Sequence, residues 1–197
     1  MATMTPDTST LAKPTARERL LAAADELFYD EGIHTVGIDR IIEHAGVAKA
    51  SLYNTFGSKD ELVRAYLTGR HESRQRRITT RLEDYDTPRA KLLGVFDSLR
   101  DYVALPTFRG CAFANASAES QPGGVVDEVS TSNRTWTREL LTDLAREAGV
   151  ADPDALAQQL MLIYDGAITG VRMDHRPDVG AAARETAEIL IDLALAS

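Results

Sequence analysis

Residues 38–59, IDRIIEHAGVAKASLYNTFGSK, constrain the fold more than any other part of this chain. The segment predicts two short helices joined by a tight turn at Ala45-Gly46-Val47. Gly46 stands where a sharp reversal needs a positive φ, which glycine adopts without steric strain. The first helix has one apolar face at helical spacing, formed by Ile38, Ile41, Ile42 and Ala45. One side of this helical pair therefore faces a core.

The second helix of the pair leaves a polar face for solvent. Leu52 and Phe56 are four residues apart and point inward. The outward face then carries Lys49, Ala50, Ser51, Tyr53 and Asn54, with Thr55 at its edge. Such a face suits the major groove of DNA, which admits one α-helix and presents each base pair as a distinct donor and acceptor pattern. An ordinary helical hairpin with a glycine turn is the alternative.

The segment Ala45–Leu62, AGVAKASLYNTFGSKDEL, resembles the DNA-binding signature of TetR-type transcriptional repressors. In that family the turn is A-G-V, the recognition helix carries L-Y-x-x-F, and x-S-K-x-x-L opens the next helix. The resemblance extends over about residues 15–66. The rest of the chain resembles the family only in length and helical layout, and loosely in R-G-C-x-F at Arg109–Phe113.

The resemblance implies roles for individual residues. It implies that Tyr53 and Lys59 hold phosphates, and that the first helix of the pair begins near Gly37, where many relatives have Ser or Thr. Lys49, Ser51 and Asn54 are the candidates for contacts with base edges, and Ala50 allows a close approach. Asn54 replaces a common histidine, and it can pair with adenine or bond a phosphate.

The charge distribution is uneven along the chain. Residues 15–80 contain ten Lys/Arg and ten Asp/Glu, whereas residues 81–197 contain eleven and nineteen, which accounts for the net charge of −8. An acidic body discourages nonspecific contact with DNA away from the recognition helix. The sequence contains no run of about 18 apolar residues, so a membrane span is not predicted. The first fourteen residues lack the apolar centre of a secretory signal. The single cysteine, Cys111, excludes an intrachain disulfide and fits a reducing cytoplasm.

Helix signals recur throughout the chain, and no alternating strand pattern interrupts them. Capping boxes stand at Thr15–Glu18 and Ser58–Glu61, and Thr87-Pro88 and Asp152-Pro153 open later helices. We expect an all-α protein of about nine helices. We divide it into a flexible arm at 1–14, a helix-turn-helix DNA-binding domain at 15–60, and a ligand-binding and dimerisation domain at 61–197.

The long helix predicted at 58–82 connects the two domains, and its tilt would set the spacing of two recognition helices. Four of its arginines, Arg70, Arg74, Arg76 and Arg77, are interpreted as a solvated helix face. In the second domain, nine residues are candidates to line a small-molecule cavity, with plain core as the alternative: Phe96, Tyr102, Phe108, Phe113, Asn115, Trp136, Met161, Tyr164 and Asp165.

The last two long helices carry wide apolar stripes with small residues, which predicts a four-helix dimer interface. The residues assigned to it are Leu156, Leu160, Ile163, Ala167, Gly170, Val171, Ile189, Leu190 and Leu193. Ordinary internal core is the alternative. A two-fold dimer would place its recognition helices about 34–36 Å apart over a palindromic site.

No catalytic motif, cofactor motif or metal-ligand spacing is present, so an enzyme, a cofactor and a metal site are not predicted. The predicted function is a cytoplasmic, ligand-responsive repressor that binds a palindromic operator as a homodimer. Its partners would be double-stranded DNA, a second copy of the chain and a small-molecule effector, with no membrane. The alternatives are a small-molecule-binding or redox-sensing protein acting through Cys111 with a hairpin that reads no DNA, and a transcriptional activator.

Overall fold

The computed structural model describes residues 13–176 and 178–196, and these fold into nine α-helices without a strand. The predicted all-α fold is thereby confirmed, while the predicted arm lies outside the described residues apart from Lys13 and Pro14. None of the described helices is long and apolar enough to cross a bilayer. The helices are α1 (Ala16–Glu31), α2 (Ile38–Ala45), α3 (Lys49–Phe56), α4 (Lys59–Leu82), α5 (Pro88–Val103), α6 (Ala112–Glu119), α7 (Val125–Glu147), α8 (Pro153–Asp174) and α9 (Val179–Leu195).

Side-chain caps fix where several helices begin. The Thr15 hydroxyl accepts from the Glu18 backbone N–H at 3.2 Å, and the Glu18 carboxylate accepts from Thr15 N at 2.7 Å, which completes the first predicted capping box. Ser58 accepts from Glu61 N at 3.1 Å, but the Glu61 carboxylate accepts from Arg64. Of the second predicted capping box, the hydrogen bond to the Ser58 side chain is therefore present and the reciprocal bond to Glu61 is not.

The apolar core consists of two clusters that α4 connects. The first joins α1, α2 and α3 to the beginning of α4, to α6 and to the start of α7. The second joins the end of α4 to α5, α8, α9 and the rest of α7. Along α4 the change falls between Leu67 and Ile78. The first turns of α4 thus pack with the N-terminal helices, beyond the predicted domain boundary at residue 60.

The arginines of α4 do not form the predicted solvated face. Arg70 pairs with Asp25 of α1, with Nε 2.5 Å and Nη2 2.8 Å from the carboxylate oxygens. The guanidinium of Arg74 lies inside the protein, and that of Arg77 lies 4.0 Å from the Tyr102 ring centroid. Of the four, Arg76 is on the solvent side, with a side chain that is 69% exposed. The prediction was wrong because α4 passes between the two apolar clusters. There the methylene groups of the arginine side chains cover apolar surface, and aromatic rings attract the guanidinium groups.

Leu52 is the fully buried residue that anchors α3 to the first cluster. We expect Leu52→Ala to lower the free energy of unfolding by about 2–5 kcal/mol, because it removes buried methyl groups and leaves a cavity. Urea titration followed by circular dichroism measures this change. The matched control is Leu105→Ala, at a half-exposed leucine after α5, which should change stability by about 0.5 kcal/mol or less. Equal losses in the two variants would contradict this role of Leu52.

Candidate nucleic-acid interface and internal cavity

The turn between α2 and α3 has the predicted left-handed glycine. Gly46 has φ 60° and ψ 43°, and its N–H is directed at the Ile42 and Glu43 carbonyls. Arg19 of α1 closes the same turn, because its Nη1 donates to Gly46 O at 3.0 Å and to Ala45 O at 3.3 Å. Sequence reasoning missed Arg19, since a contact across 27 residues leaves no local signal.

The polar side of α3 faces solvent. Leu52 is buried and Phe56 is half-buried, which orients the helix. Four of the candidate contact residues lie on one exposed surface: Lys49, Ala50, Tyr53 and Asn54. Ser51 is half-buried at the edge of this surface, and Gly37 is the N-cap of the adjacent α2. Tyr53 is 46% exposed, which is unusual for a large aromatic side chain. The structure therefore presents these residues together on the surface.

The two candidate lysines have different surroundings. Lys49 Nζ lies 2.8 Å from Asp39 Oδ1 on α2, and this hydrogen bond raises the pKa of Lys49. Both groups are well exposed, so the ion pair is weak, and Lys49 can exchange Asp39 for a phosphate or a base. Lys59 is half-buried, with Nζ 5.9 Å from the Phe28 ring centroid, and burial lowers its pKa. It therefore lies deeper than the α3 residues, at the first position of α4.

A cavity of about 290 Å³ lies between α4, α6, α7 and α8. Four of the nine predicted ligand residues line it: Phe113, Met161, Tyr164 and Asp165. Arg74 and Cys111 line it as well, although neither was among the nine.

The other five candidates are not part of the cavity wall. Phe96 is fully buried behind the wall, with its ring edge-on to Tyr164 at 6.1 Å. Tyr102 and Phe108 pack edge-on against each other at 5.4 Å. The remaining two have partners elsewhere: Asn115 Nδ2 donates to the Arg109 carbonyl at 3.1 Å, and Trp136 lies edge-on to His71 at 6.0 Å. These contacts correspond to the plain-core alternative.

The polar wall of the cavity comes from α7, which sequence reasoning missed. Asn133 and Thr137 are buried, each with 1% of its surface exposed, and both line the cavity. They interrupt a buried stripe at helical spacing that otherwise contains Val129 and Leu141. This interruption of an apolar stripe by two polar residues was the available signal.

Helix α6 connects the cavity to the helix-turn-helix. Phe113 lines the cavity and also belongs to the N-terminal apolar cluster. At the other end of α6, Glu119 Oε2 accepts from the backbone N–H of His34 at 2.8 Å, in the loop before α2. Gly32 permits this approach, because it has φ 95° and a Cβ there would lie 2.6 Å from Glu119 Oε1. A second contact joins Tyr29 of α1 to the loop before α6, since its hydroxyl donates to Gly110 O at 2.9 Å.

The predicted dimer residues divide by burial. Leu156, Leu160, Ala167 and Val171 are buried in the core of their own chain, so their side chains are not available to a second chain and that part of the assignment is corrected. Gly170 lies close to Val179, and Ile163 and Leu190 are half-buried. The stripes on α8 and α9 are wide because each helix packs inward on several neighbours.

Other apolar side chains on α8 and α9 remain at the surface. Leu162 and Met173 on α8 are 69% and 73% exposed, and Ile189 and Leu193 on α9 are 68% and 64% exposed. Gly166 lies between the two α8 residues and is also exposed.

Two family models match the chain. Residues 20–66 match the model described as bacterial regulatory proteins of the tetR family, and residues 88–187 match the tetracycline repressor-like C-terminal domain. The chain belongs to the TetR family of bacterial transcriptional regulators. This confirms the resemblance seen in Ala45–Leu62, and it identifies α2 and α3 as the DNA-binding helix-turn-helix of a regulator rather than a part of an enzyme.

Relatives of the TetR-family chain agree with this assignment. The crystal structure of a TetR-family transcriptional regulator from Streptomyces coelicolor superposes with a TM-score of 0.87 at 34% identity, covering 91% of this chain and 96% of that one. The transcriptional regulator AcuR of Cereibacter sphaeroides is 28% identical over 191 residues, 83% of this chain and 79% of the relative. The transcriptional activator FasR of Mycolicibacterium smegmatis is 33% identical over 93 residues, which span 47% of this chain and 42% of that protein.

Proposed function

We propose that this TetR-family regulator is a homodimeric, ligand-responsive repressor that binds a palindromic operator in the cytoplasm. The observation that carries the proposal is the polar outer face of α3, held in place by buried Leu52. Lys49, Ser51 and Asn54 are positioned to reach base edges, Tyr53 to hold a phosphate, and Ala50 to allow close approach.

The exposed apolar residues of α8 and α9 support the proposed dimer. Large apolar side chains grouped on adjacent helices are characteristic of protein interfaces. Leu162, Met173 and Ile189 would meet their counterparts across a two-fold axis, and Gly166 would let the backbones approach. Two helices from each chain then form a four-helix interface.

Ligand response rests on the two helices that pass from the cavity to the DNA-binding part. Arg74 of α4 and Phe113 of α6 line the cavity. The N-terminal turns of α4 pack with the helix-turn-helix, and the C-terminal end of α6 contacts the loop before α2. A ligand that prefers the arrangement unsuited to DNA lowers DNA affinity by the same differential free energy. The tilt of α4 and the position of α6 are the variables that change.

Repression needs only that the dimer occupies DNA that the polymerase must use. Activation needs, in addition, a favourable contact with the transcription machinery, and FasR shows that an activator exists among the relatives. An operator that overlaps its promoter would support repression, and one upstream of it would support the activator alternative.

Selection from a pool of randomised duplexes with the purified protein tests the proposed function. We expect recovery of a palindrome whose half-sites are about one DNA turn apart. If no duplex is retained at any salt concentration, the hairpin reads no DNA in this chain. The redox-sensing alternative would then gain support if oxidation of Cys111 changed the fold measured by circular dichroism.

Asn54 should carry part of the sequence preference. We expect Asn54→Ala to relax discrimination at one base pair of each half-site by about 1–3 kcal/mol, because a bidentate contact to a base is lost. Competition binding with single-position operator variants measures this. A uniform loss across all operators would instead assign Asn54 to a phosphate.

The matched comparison is Lys59→Ala. It should weaken all operators alike and reduce the slope of log affinity against log salt by about one, because one phosphate contact is removed. A change in sequence preference would show that Lys59 does not act through the backbone of DNA.

Burying a charge in the proposed interface should separate the two chains. We expect Leu162→Glu combined with Ile189→Glu to yield monomers in sedimentation velocity, because unpaired carboxylates are costly to desolvate. Thr79→Glu combined with Thr80→Glu, on the exposed side of α4, is the matched control and should leave the dimer intact. A wild-type chain that sediments as a monomer would contradict the proposed interface.

A further inference from the structure

The interior of this regulator contains two arginine side chains without a balancing carboxylate. Arg74 and Arg77 lie one turn apart on α4, with their guanidinium groups inside the protein. Arg74 is half-buried and lines the cavity. Neither arginine forms an ion pair with a carboxylate in residues 13–176 and 178–196. Arg70, one turn before Arg74, differs because it pairs with Asp25.

The contacts that Arg74 does make are weak. Nη1 lies 3.3 Å from Asn133 Oδ1, an oxygen that also lies 3.2 Å from His71 Nδ1, and Nη2 lies 3.8 Å from Cys111 Sγ. The rings of Phe113 and Tyr164 are each centred 5.6 Å from its Cζ. A guanidinium has five N–H donors and keeps its charge at any physiological pH. Two of its nitrogens therefore contact neutral groups only, and no carboxylate of a described residue balances its charge.

Two further polar groups, from Tyr164 and Arg77, are enclosed next to the cavity. Tyr164 is 1% exposed, and its hydroxyl, which is enclosed beside the Arg77 guanidinium, makes no hydrogen bond of ordinary geometry with a described residue. The same holds for Nη2 of Arg77. A buried polar group without a partner costs about 1–3 kcal/mol, and more when it is charged.

The geometry points to a small organic carboxylate as the ligand of this cavity, with Arg74 as the group that pairs with its charge. This inference rests on the proposed ligand response, and it names the chemical class of the effector. A carboxylate accepts two parallel N–H bonds from a guanidinium, which matches the planar fork of arginine.

The rest of the wall supports a singly charged, largely apolar molecule. Phe113, Met161 and Ile168 supply apolar surface. The other charged pair of the wall is already balanced, because Arg134 Nη1 lies 2.8 Å from Asp165 Oδ2. A phosphate with two charges would need more cationic donors than Arg74 provides. The volume of about 290 Å³ lies at the lower end of the range for ligand cavities, which favours a small molecule.

Calorimetric titration of the DNA-free protein with hexanoate and benzoate, against hexanamide and benzamide, tests the charge requirement. We expect the two carboxylates to bind, and saturation at about 100 times Kd to raise Tm by about 5–10 °C. The neutral amides should bind at least about tenfold more weakly, since each lost charge-assisted bond removes roughly that much affinity. Inorganic phosphate should also bind more weakly, because a single arginine leaves its second charge unbalanced. Equal binding of an acid and its amide would overturn the inference.

Arg74→Met and Arg70→Met form a matched pair on one helix. Arg74→Met should abolish carboxylate binding, and it should raise Tm of the free protein by about 2 °C or more because it removes an unbalanced internal charge. Arg70→Met should lower Tm, because Asp25 loses its partner, and it should leave carboxylate affinity unchanged. Arg74→Lys keeps the charge but loses the fork, so it should bind carboxylate weakly. A loss of Tm in Arg74→Met equal to that of Arg70→Met would contradict an unbalanced Arg74.

Cys111→Ser tests whether the cysteine sulfur is the internal anion of Arg74. We expect this variant to keep carboxylate affinity within about twofold. If Cys111→Ser and Arg74→Met destabilise the free protein equally and no carboxylate binds, the sulfur is the partner of Arg74 and the inference is wrong.

A parallel titration of the DNA complex separates the inference from the proposed function. Carboxylate binding at Arg74 without a change in DNA affinity would uphold the ligand assignment and overturn the ligand response. Release of DNA by a neutral compound, with no carboxylate binding, would uphold the ligand response and overturn the ligand assignment.

Discussion

The packing of α4 into both apolar clusters is the constraint on which the rest of the structure depends. Leu62 and Leu67 belong to the N-terminal cluster, and Ile78 and Leu82 belong to the C-terminal one. A helix of 24 residues is roughly 36 Å long and bends little over that length. Since the same helix is held at both ends, a displacement at one cluster cannot be absorbed locally and must be shared with the other.

The polar side chains of the cavity wall lower the stability of the core. Asn133 and Thr137 occupy positions on α7 where the surrounding stripe is apolar, and Thr137 satisfies its hydroxyl only on its own helix, at 3.0 Å from Asn133 O. Arg74 enters the same region without a carboxylate. A close-packed apolar core would be more stable here. The proposed ligand would account for this polar wall, whereas Arg70 on the same helix is paired with Asp25 and stabilises the fold without one.

Local sequence signals predicted the secondary-structure elements, whereas the residues of the candidate sites depend on contacts between distant parts of the chain. The capping box at Thr15, the left-handed Gly46 and the inward Leu52 depend on neighbours within a few residues, so they could be inferred from spacing. Which side of α4 is buried depends on helices far along the chain, and Arg74 was accordingly assigned to solvent. The stripes of α8 show the same limit, because periodicity identifies an apolar face without telling whether the same chain or a second copy covers it.

The length of α4 would allow the proposed ligand to affect DNA binding at a distance. A tilt of about 5° over roughly 36 Å moves the far end by about 3 Å. Hydrogen bonds to base edges weaken steeply once donor and acceptor separate by more than about 3.2 Å, so such a shift removes specific contacts while leaving electrostatic attraction to the phosphates. Helix α6 adds a second constraint, because Glu119 holds the loop before α2 at His34 while Phe113 lies in the cavity wall. The proposed ligand, if it displaced Phe113, would therefore act on the loop before α2 through α6 as well as through α4.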